Sequence, residues 1–145
     1  MASKHIFLDT SVLFAAVLSE TGGARQVLKL GEAGVITLWV GPTVLSEADA
    51  VIERKSPSSK GRFALLLDRA KVQIGPVPEP STQAQALAVI TYAPDAAIVA
   101  EALAVQADYL VSLDRQHLVG VPHADLLPFL IGTPGDFLTW LRGRL

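Results

Sequence analysis

The chain has no cysteine and no excess of basic charge, and each of these absences excludes a class of function; its few aromatic residues suit a well-covered α/β core better than an all-β sandwich. Without cysteine it can form no disulfide, has no thiolate nucleophile and offers no sulfur ligand to zinc, which fits a reducing cytoplasm. The formal net charge of −2 excludes a generally basic surface. Nucleic acid, if it is bound at all, must therefore be bound through a local patch.

The chain also lacks the long apolar runs of a membrane protein. Its apolar stretches are interrupted by serine, glycine, proline or charge well before the roughly 18 residues that a membrane span requires. The acid at position 9 leaves no room for the apolar segment of a secretory signal. We therefore expect a cytoplasmic protein that has no membrane partner. At 145 residues, 50% of them hydrophobic, the chain is expected to fold as one domain over residues 1–145.

Short apolar segments alternate with helical patterns along the chain. Strands are predicted over residues 5–8, 35–40, 72–74, 109–113 and 129–131. Helices are predicted over residues 10–18, 24–33, 42–54, 62–70, 81–90 and 94–106, and from a Thr133 cap to the end of the chain. This alternation predicts an α/β protein, a three-layer α/β/α sandwich around a central, mostly parallel sheet.

Two of the predicted strands lead into an acid. Residues 6–8 run into Asp9, and residues 109–113 run into Asp114. In open α/β sheets, ligands gather beyond the carboxyl ends of the strands, so both acids are expected at one shared pocket. Asp9 could instead serve only as the N-cap of the following helix, whereas no strong helical pattern follows Asp114.

Two further acids lie on predicted helices. Asp95 follows Pro94 in the first turn of its helix, where the helix dipole by itself would stabilise a carboxylate. Glu47 lies beyond the first turn of the helix that begins at Pro42, on the flank of an apolar stripe. An acid at the edge of a buried stripe needs a partner, and Arg54 is the nearest basic residue on that face.

Four acids in one pocket would repel one another unless a cation neutralised them. Carboxylate oxygens without cysteine are ligands for hard ions, so the pattern favours Mg²⁺ or Mn²⁺ over zinc. Such an ion polarises a phosphoryl oxygen and lowers the pKa of a bound water. A pair of ions can hold both the attacking and the leaving oxygen.

Four segments, taken in order, resemble the PIN-domain family over essentially the whole chain. They are Leu8-Asp9-Thr10-Ser11, Leu45-Ser46-Glu47, Pro94-Asp95 and Ala107-Asp108-Tyr109-Leu110-Val111-Ser112-Leu113-Asp114, followed by Thr133-Pro134-Gly135-Asp136-Phe137-Leu138. Their order and spacing are most similar to the branch of VapC-like ribonucleases, the toxin components of toxin–antitoxin systems.

The resemblance implies a metal-dependent endoribonuclease that hydrolyses RNA phosphodiester bonds with metal-activated water. The catalytic and metal-binding residues that it implies are four acids, Asp9, Glu47, Asp95 and Asp114. Ser11 and Ser112 match small polar positions beside the first and fourth acids, and are expected to support the bound Mg²⁺ or Mn²⁺. The resemblance also implies a single-stranded or structured RNA substrate, a small antitoxin partner and a homodimer.

Two departures from the family pattern leave an alternative open. Relatives in this branch often carry extra acids after the third and fourth motif aspartates, where this chain has Ala96 and Gln116. A weaker metal site would make the chain a PIN-like binding module for RNA or a protein partner, without turnover. A receiver-like phosphoacceptor domain would need an acid pair after the first strand and a late lysine, and the sequence does not supply that pattern.

Histidines and tryptophans are assigned to structure rather than chemistry. His5, His117 and His123 are too scattered in the sequence for a metal triad, so structural or surface roles are expected. Trp39 and Trp140 are expected to pack in the core or at an interface rather than to stack on bases.

The most basic part of the chain is the segment 54–62. We expect a polar surface loop there, or a segment that contacts phosphates together with Arg25, Lys29 or Arg115.

Overall fold

The computed structural model describes residues 3–145, which form a five-stranded sheet and seven α-helices. The strands are β1 (His5–Leu8), β2 (Thr37–Val40), β3 (Gln73–Ile74), β4 (Tyr109–Val111) and β5 (Leu130–Gly132). The helices are α1 (Thr10–Leu18), α2 (Gly23–Glu32), α3 (Pro42–Lys55), α4 (Lys60–Arg69), α5 (Pro80–Leu87), α6 (Ala93–Ala104) and α7 (Pro134–Arg142). Within residues 3–145, no helix has both the length and the apolar character needed to cross a membrane.

All strand pairs are parallel, and the strands lie in the order β3-β2-β1-β4-β5. Every residue of β4 is buried, and so are Ile6, Phe7 and Leu8 of β1. Because successive side chains of a strand point to opposite faces, consecutive buried residues mean that helices cover both faces of the sheet. The prediction of a three-layer α/β/α sandwich with a parallel central sheet is confirmed.

The strand order changes direction at β1, which lies between β2 and β4. Ligands of open α/β sheets collect at such a switch point, outside the carboxyl ends of the strands. Leu8 of β1 is the register partner of Val111 of β4. The residues that follow these two, Asp9 and Ser112, therefore leave the sheet side by side at this edge.

Three strands are shorter than the sequence predicts, β3 by one residue and β2 and β4 by two each, and the last two for local reasons. Gly34 has a φ of 78°, in the left-handed region. The backbone N–H of Val35 donates to the carbonyl of Leu30 at 3.0 Å, so the turn after α2 takes up the residues predicted to begin β2. After β4 the Ser112 N–H still donates to the Gly132 carbonyl of β5 at 2.9 Å, but the pairing stops there because serine hydroxyls accept from the N–H groups of Leu113 and Asp114.

The basic segment 54–62 is largely helical, so its prediction as a loop is wrong. α3 continues to Lys55, a single 3₁₀ turn covers Pro57–Ser59, and α4 begins at once at Lys60. Pro57 has the fixed φ that suits the first position of such a turn. The hydroxyls of Ser56 and Ser59 are 2.8 Å apart and tie the turn together.

The last helix starts at the cap that the sequence predicts. The Thr133 hydroxyl accepts from the Asp136 N–H at 3.1 Å, and the Asp136 carboxylate accepts from the Thr133 N–H at 3.0 Å. This reciprocal pair is a capping box, and Pro134 occupies the first helical position. The backbone N–H of Thr133 holds the pKa of Asp136 below its ordinary value.

Replacing Thr133 by alanine is expected to lower the free energy of unfolding by about 1 kcal/mol, because the Asp136 N–H loses its acceptor. Urea denaturation measures the change. The matched control is Thr139→Ala, at an exposed position of the same helix, which is expected to leave the midpoint nearly unchanged. Equal midpoints for the two variants would contradict the capping role.

Candidate metal centre

One open pocket, of about 560 Å³, is lined by all four acids singled out in the sequence. Asp9 follows β1 and Asp114 lies three residues after β4, while Glu47 comes from α3 and Asp95 from the first turn of α6. The acids thus approach from two strand ends and two helices. The remaining lining residues are apolar or neutral, apart from Lys55 at the end of α3.

Asp9 is the most constrained of the four acids. It is buried, and each of its carboxylate oxygens accepts from a serine, Oδ1 from Ser11 and Oδ2 from Ser112, both at 2.5 Å. Its Oδ1 also accepts from the backbone N–H of Val12 at 3.2 Å, so the N-cap role weighed in the sequence is present as well. Asp9 therefore both caps α1 and lines the pocket.

Burial raises the pKa of Asp9 above its ordinary value, although the bonds from Ser11, Ser112 and Val12 oppose the shift. The negative charge of Asp114 adds to the rise. A carboxylate in this position is thus costly to ionise in the protein alone. A bound cation would relieve that cost directly.

The two serines differ in position. Ser11 lines the pocket, and its Oγ accepts from the Leu113 N–H at 3.0 Å. Ser112 is completely buried, and its Oγ accepts from the Asp114 N–H at 2.9 Å while its hydroxyl donates to Asp9. Ser112 therefore links the carboxylate of Asp9 to the backbone of Asp114.

Asp114 is held by the backbone of the loop that follows it. Its Oδ1 accepts from the N–H groups of Gln116 and His117, both at 3.0 Å. These bonds form an Asx turn, which folds the chain back towards the pocket. The second oxygen, Oδ2, takes no part in that turn and is 3.4 Å from Nδ1 of His117.

Asp95 carries the clearest electrostatic signal. Burial, together with the charge of Asp114, raises its pKa to about 6, while His117 acts in the opposite direction. Its Oδ2 is fully enclosed and has no hydrogen-bond partner. A buried carboxylate oxygen without a donor is unfavourable, and a metal ion is one of the few groups that satisfy it.

Glu47 finds a partner that the sequence did not indicate. Its Oε2 accepts from the hydroxyl of Thr10 at 3.0 Å, across the contact between α1 and α3. The candidate named from the sequence, Arg54, is exposed and has no hydrogen bond or ion pair to Glu47 among the described residues. Thr10 directly follows Asp9, so the same stretch of chain orients both acids.

His117 is a site residue that the sequence analysis set aside. Its Nδ1 lies 3.5 Å from Oδ2 of Asp95 and 3.4 Å from Oδ2 of Asp114. One ligand atom from each of the three residues lies within 4.8 Å of the others. No spacing rule could have found this histidine, because the irregular loop after Asp114 determines where it lies.

Ala96 and Gln116 stand where relatives often carry two further acids, and both lie outside the acid pocket. Ala96 is buried and lines a separate cavity between α5 and α6, and Gln116 lines a cavity next to His117. Neither residue lines the acid pocket. An acid at these positions would thus lie outside the group formed by Asp9, Glu47, Asp95 and Asp114.

A further acid, Glu101, is buried outside the pocket and has a structural role. Its Oε2 accepts from the Thr43 N–H at 2.8 Å, and its Oε1 accepts from the Val44 N–H at 3.4 Å. It caps the N-terminus of α3, where Gly41 supplies no side chain. The sequence signal for this role is a single acid within the apolar run of α6.

The donors of the pocket fit a divalent ion bound mainly by oxygen. The available atoms are carboxylate oxygens, with one imidazole nitrogen beside them, and two of the acids have raised pKa values. The separations of 3.4 and 3.5 Å between ligand atoms are near the roughly 3 Å between neighbouring ligands of an octahedral ion with bonds of about 2.1 Å.

Comparison with known protein families shows which family the chain belongs to. Residues 5–116 match the PIN domain. The chain belongs to the PIN domain family. The match begins in β1 and ends just before His117, so all four acids of the PIN domain pocket lie inside it and the histidine lies outside. No match was found among curated protein sequences.

Solved structures share this PIN fold at low sequence identity. VapBC2 from Rickettsia felis, bound to a DNA fragment from its promoter, has a TM-score of 0.63 at 15% identity, covering 88% of this chain and 96% of that one. PAE2754 from Pyrobaculum aerophilum has a TM-score of 0.63 at 16% identity, with 97% and 90% covered. VapC20 from Mycobacterium tuberculosis, a sarcin-ricin loop cleaving toxin, has a TM-score of 0.50 at 18% identity, with 72% and 86% covered. These similarities support the fold.

Proposed function

We propose that this PIN domain protein is an endoribonuclease that requires Mg²⁺ or Mn²⁺ and hydrolyses RNA phosphodiester bonds. The observation that carries the proposal is the convergence of Asp9, Glu47, Asp95 and Asp114 on one pocket, with an unpartnered buried oxygen on Asp95. Asp9 and Asp95 are buried carboxylates with raised pKa values, and neither accepts a hydrogen bond from a cationic side chain, which is typical of functional sites rather than of structural ion pairs.

In this proposal the four acids hold the ion, which when bound polarises a phosphoryl oxygen and lowers the pKa of a water. Ser11 and Ser112 fix both oxygens of Asp9 before any ligand arrives. Thr10 orients Glu47 in the same way. Such outer partners typically change metal affinity or activity by 10–100-fold, so these three hydroxyls belong to the functional unit.

The test is incubation of purified protein with a mixed-sequence RNA and Mn²⁺, followed by analysis of the product ends. If water attacks the phosphorus, the products lack a 2′,3′-cyclic phosphate, and a 2′-deoxy nucleotide at the cleavage point leaves cutting intact. Products that end in a cyclic phosphate would contradict metal-assisted hydrolysis, since they require attack by the 2′-hydroxyl.

Lys55 is the cation that lines the acid pocket, and we propose that it contacts an RNA phosphate. Lys55→Met is expected to raise KM about fivefold with little change in kcat, and to lower the dependence of log KM on log salt by about 0.7 to 1. Kinetics at several salt concentrations measure both changes.

Lys60 provides the matched control, because it is exposed, pairs with Glu53 and does not line the pocket. Lys60→Met is expected to leave KM and its salt dependence unchanged. The same change in both variants would mean that general charge, rather than a phosphate contact of Lys55, sets the affinity.

A toxin role in the cytoplasm, with a small antitoxin partner and a homodimer, is the further part of the proposal. The support is the similarity of fold to a VapBC2 assembly and to a toxin that cleaves the sarcin-ricin loop. The rim of the pocket also carries the exposed apolar side chains of Leu18 and Leu113, which suit a protein partner.

A short adjacent reading frame whose product co-purifies with this chain and suppresses RNA cleavage would support the toxin role. Light scattering that gives a monomer at high concentration would contradict the homodimer.

The alternative is a PIN-like module that binds RNA or a protein partner without turnover. This alternative rests on the family acids that the chain lacks at positions 96 and 116, although neither position lines the acid pocket. Calorimetric titration separates the two proposals, because the module would show no heat with millimolar Mn²⁺. Binding of Mn²⁺ together with RNA cleavage would exclude it.

A further inference from the structure

His117 approaches the acid pocket from the side of a neighbouring cavity. That cavity is lined by residues 89–92 and by the loop of residues 116, 117 and 121–123. The ring nitrogen Nδ1 lies 3.4 Å from Oδ2 of Asp114 and 3.5 Å from Oδ2 of Asp95. Both of these carboxylate oxygens are therefore within reach of an ion that also contacts the ring.

Asp95 supplies the second, independent observation. The residue is only 7% exposed, and its Oδ2 is enclosed without any hydrogen-bond partner. His117 is the nearest basic group, but at 3.5 Å its Nδ1 makes no hydrogen bond to that oxygen. A buried carboxylate oxygen without a donor, beside a ring nitrogen that makes no hydrogen bond to it, is an arrangement that a cation shared by both atoms would satisfy.

The imidazole is held in this orientation before any ligand binds. Tyr92 stacks on the ring with centroids 4.1 Å apart and planes 15° from parallel. The backbone N–H of His117 donates to Oδ1 of Asp114 at 3.0 Å, which fixes the histidine relative to the acid. A side chain that merely covered the surface would need neither restraint, whereas a ligand gains affinity when its position is fixed in advance.

We propose that Nδ1 of His117 is a direct metal ligand together with Asp95 and Asp114, and that it shifts the preference of the site from Mg²⁺ towards first-row transition ions. This inference rests on the metal site of the proposed function. It revises the expectation of a purely oxygen-bound ion. Nδ1 must carry the lone pair, so the ring proton lies on Nε2.

The preference follows from the chemistry of the donor. Mg²⁺ is bound by oxygen and demands a near-ideal octahedron, whereas imidazole nitrogen suits transition ions. Among these ions Mn²⁺ is the weakest binder of nitrogen, so a preference for Mn²⁺ over Mg²⁺ is the most demanding form of the inference. We therefore choose Mn²⁺ as the probe.

The experiment is pulsed electron paramagnetic resonance of the wild-type chain loaded with Mn²⁺. A coordinated imidazole gives nitrogen modulation of the echo, which is expected in wild type and lost in His117→Gln. Calorimetry is expected to show at least a tenfold loss of Mn²⁺ affinity in His117→Gln, with a smaller loss for Mg²⁺. The control is His123→Asn, because His123 lines the same neighbouring cavity and asparagine tolerates its φ of 66°.

The absence of nitrogen modulation from Mn²⁺-loaded wild type would overturn the inference, and so would an unchanged ratio of Mn²⁺ to Mg²⁺ affinity in a folded His117→Gln variant. Nitrogen coordination without RNA cleavage would uphold His117 as a ligand and contradict the nuclease. Metal-dependent cleavage without nitrogen coordination would uphold the nuclease and contradict His117 as a ligand.

Discussion

Asp9→Asn and Asp114→Asn are each expected to lower metal-dependent RNA cleavage by more than about 100-fold, because loss of an outer partner alone typically costs 10–100-fold. Both variants are expected to remain folded. Asparagine is a good N-cap and keeps an oxygen for the Val12 N–H. The hydroxyl of Ser11 or Ser112 can turn to accept from the new amide group, since a hydroxyl both donates and accepts.

The matched control is Asp49→Asn. Asp49 lies on α3, two residues from Glu47, but it is exposed and does not line the pocket. Its replacement is expected to leave cleavage unchanged. Circular dichroism and thermal unfolding of each variant establish that the fold is intact. Cleavage by a folded Asp9→Asn or Asp114→Asn variant at the wild-type rate would contradict the assignment of these acids.

Asp95→Asn is expected to stabilise the metal-free protein above about pH 7. It is also expected to remove most of the stabilisation that added metal gives. The folded-state pKa of about 6 lies above the ordinary value of 3.8, so the folded chain holds this proton more tightly than the unfolded chain does. Ionised Asp95 therefore costs stability, and the cost appears as the pH rises from about 4 through about 6. At neutral pH it is on the order of 2–3 kcal/mol, which corresponds to a rise in Tm of several degrees on substitution.

Thermal unfolding across pH tests this in a chelated buffer. The Tm difference between Asp95→Asn and wild type is expected to be largest above about pH 7 and to disappear below about pH 4, where Asp95 is protonated in both states. Mn²⁺ at 100 times its dissociation constant is expected to stabilise wild type by about 2.7 kcal/mol and the variant much less. Lower stability of the metal-free variant at pH 7 would contradict the cost assigned to Asp95.

The sequence predicted the parts of the fold that depend on local pattern. β1 and α1 have their predicted bounds, because an apolar run and then a capping acid define both within a few residues. The Thr133 cap of α7 is confirmed for the same reason. The errors lie where a turn and a regular element are both compatible with the residues. Val35 was predicted to begin a strand but lies in a turn, and the segment 54–62 was predicted as a loop but is largely helical.

The candidate site was predictable to the extent that sheet topology determines it. Acids at the ends of β1 and β4 must meet once these strands are neighbours, and the sequence gives both. His117 was not predictable, because it is oriented by the hydrogen bonds that the Gln116 and His117 N–H groups donate to the Asp114 carboxylate, and those bonds depend on the folded loop. The Thr10 partner of Glu47 likewise depends on how α1 packs against α3.

The central claim is that Asp9, Glu47, Asp95 and Asp114 act through a bound divalent ion on RNA. Its most direct test follows cleavage of one labelled RNA by one wild-type sample, first as purified with Mn²⁺, then in excess EDTA, then after Mn²⁺ is restored above the chelator. The account predicts that cleavage stops in EDTA and returns with Mn²⁺. Cleavage that continues unchanged in EDTA would contradict it.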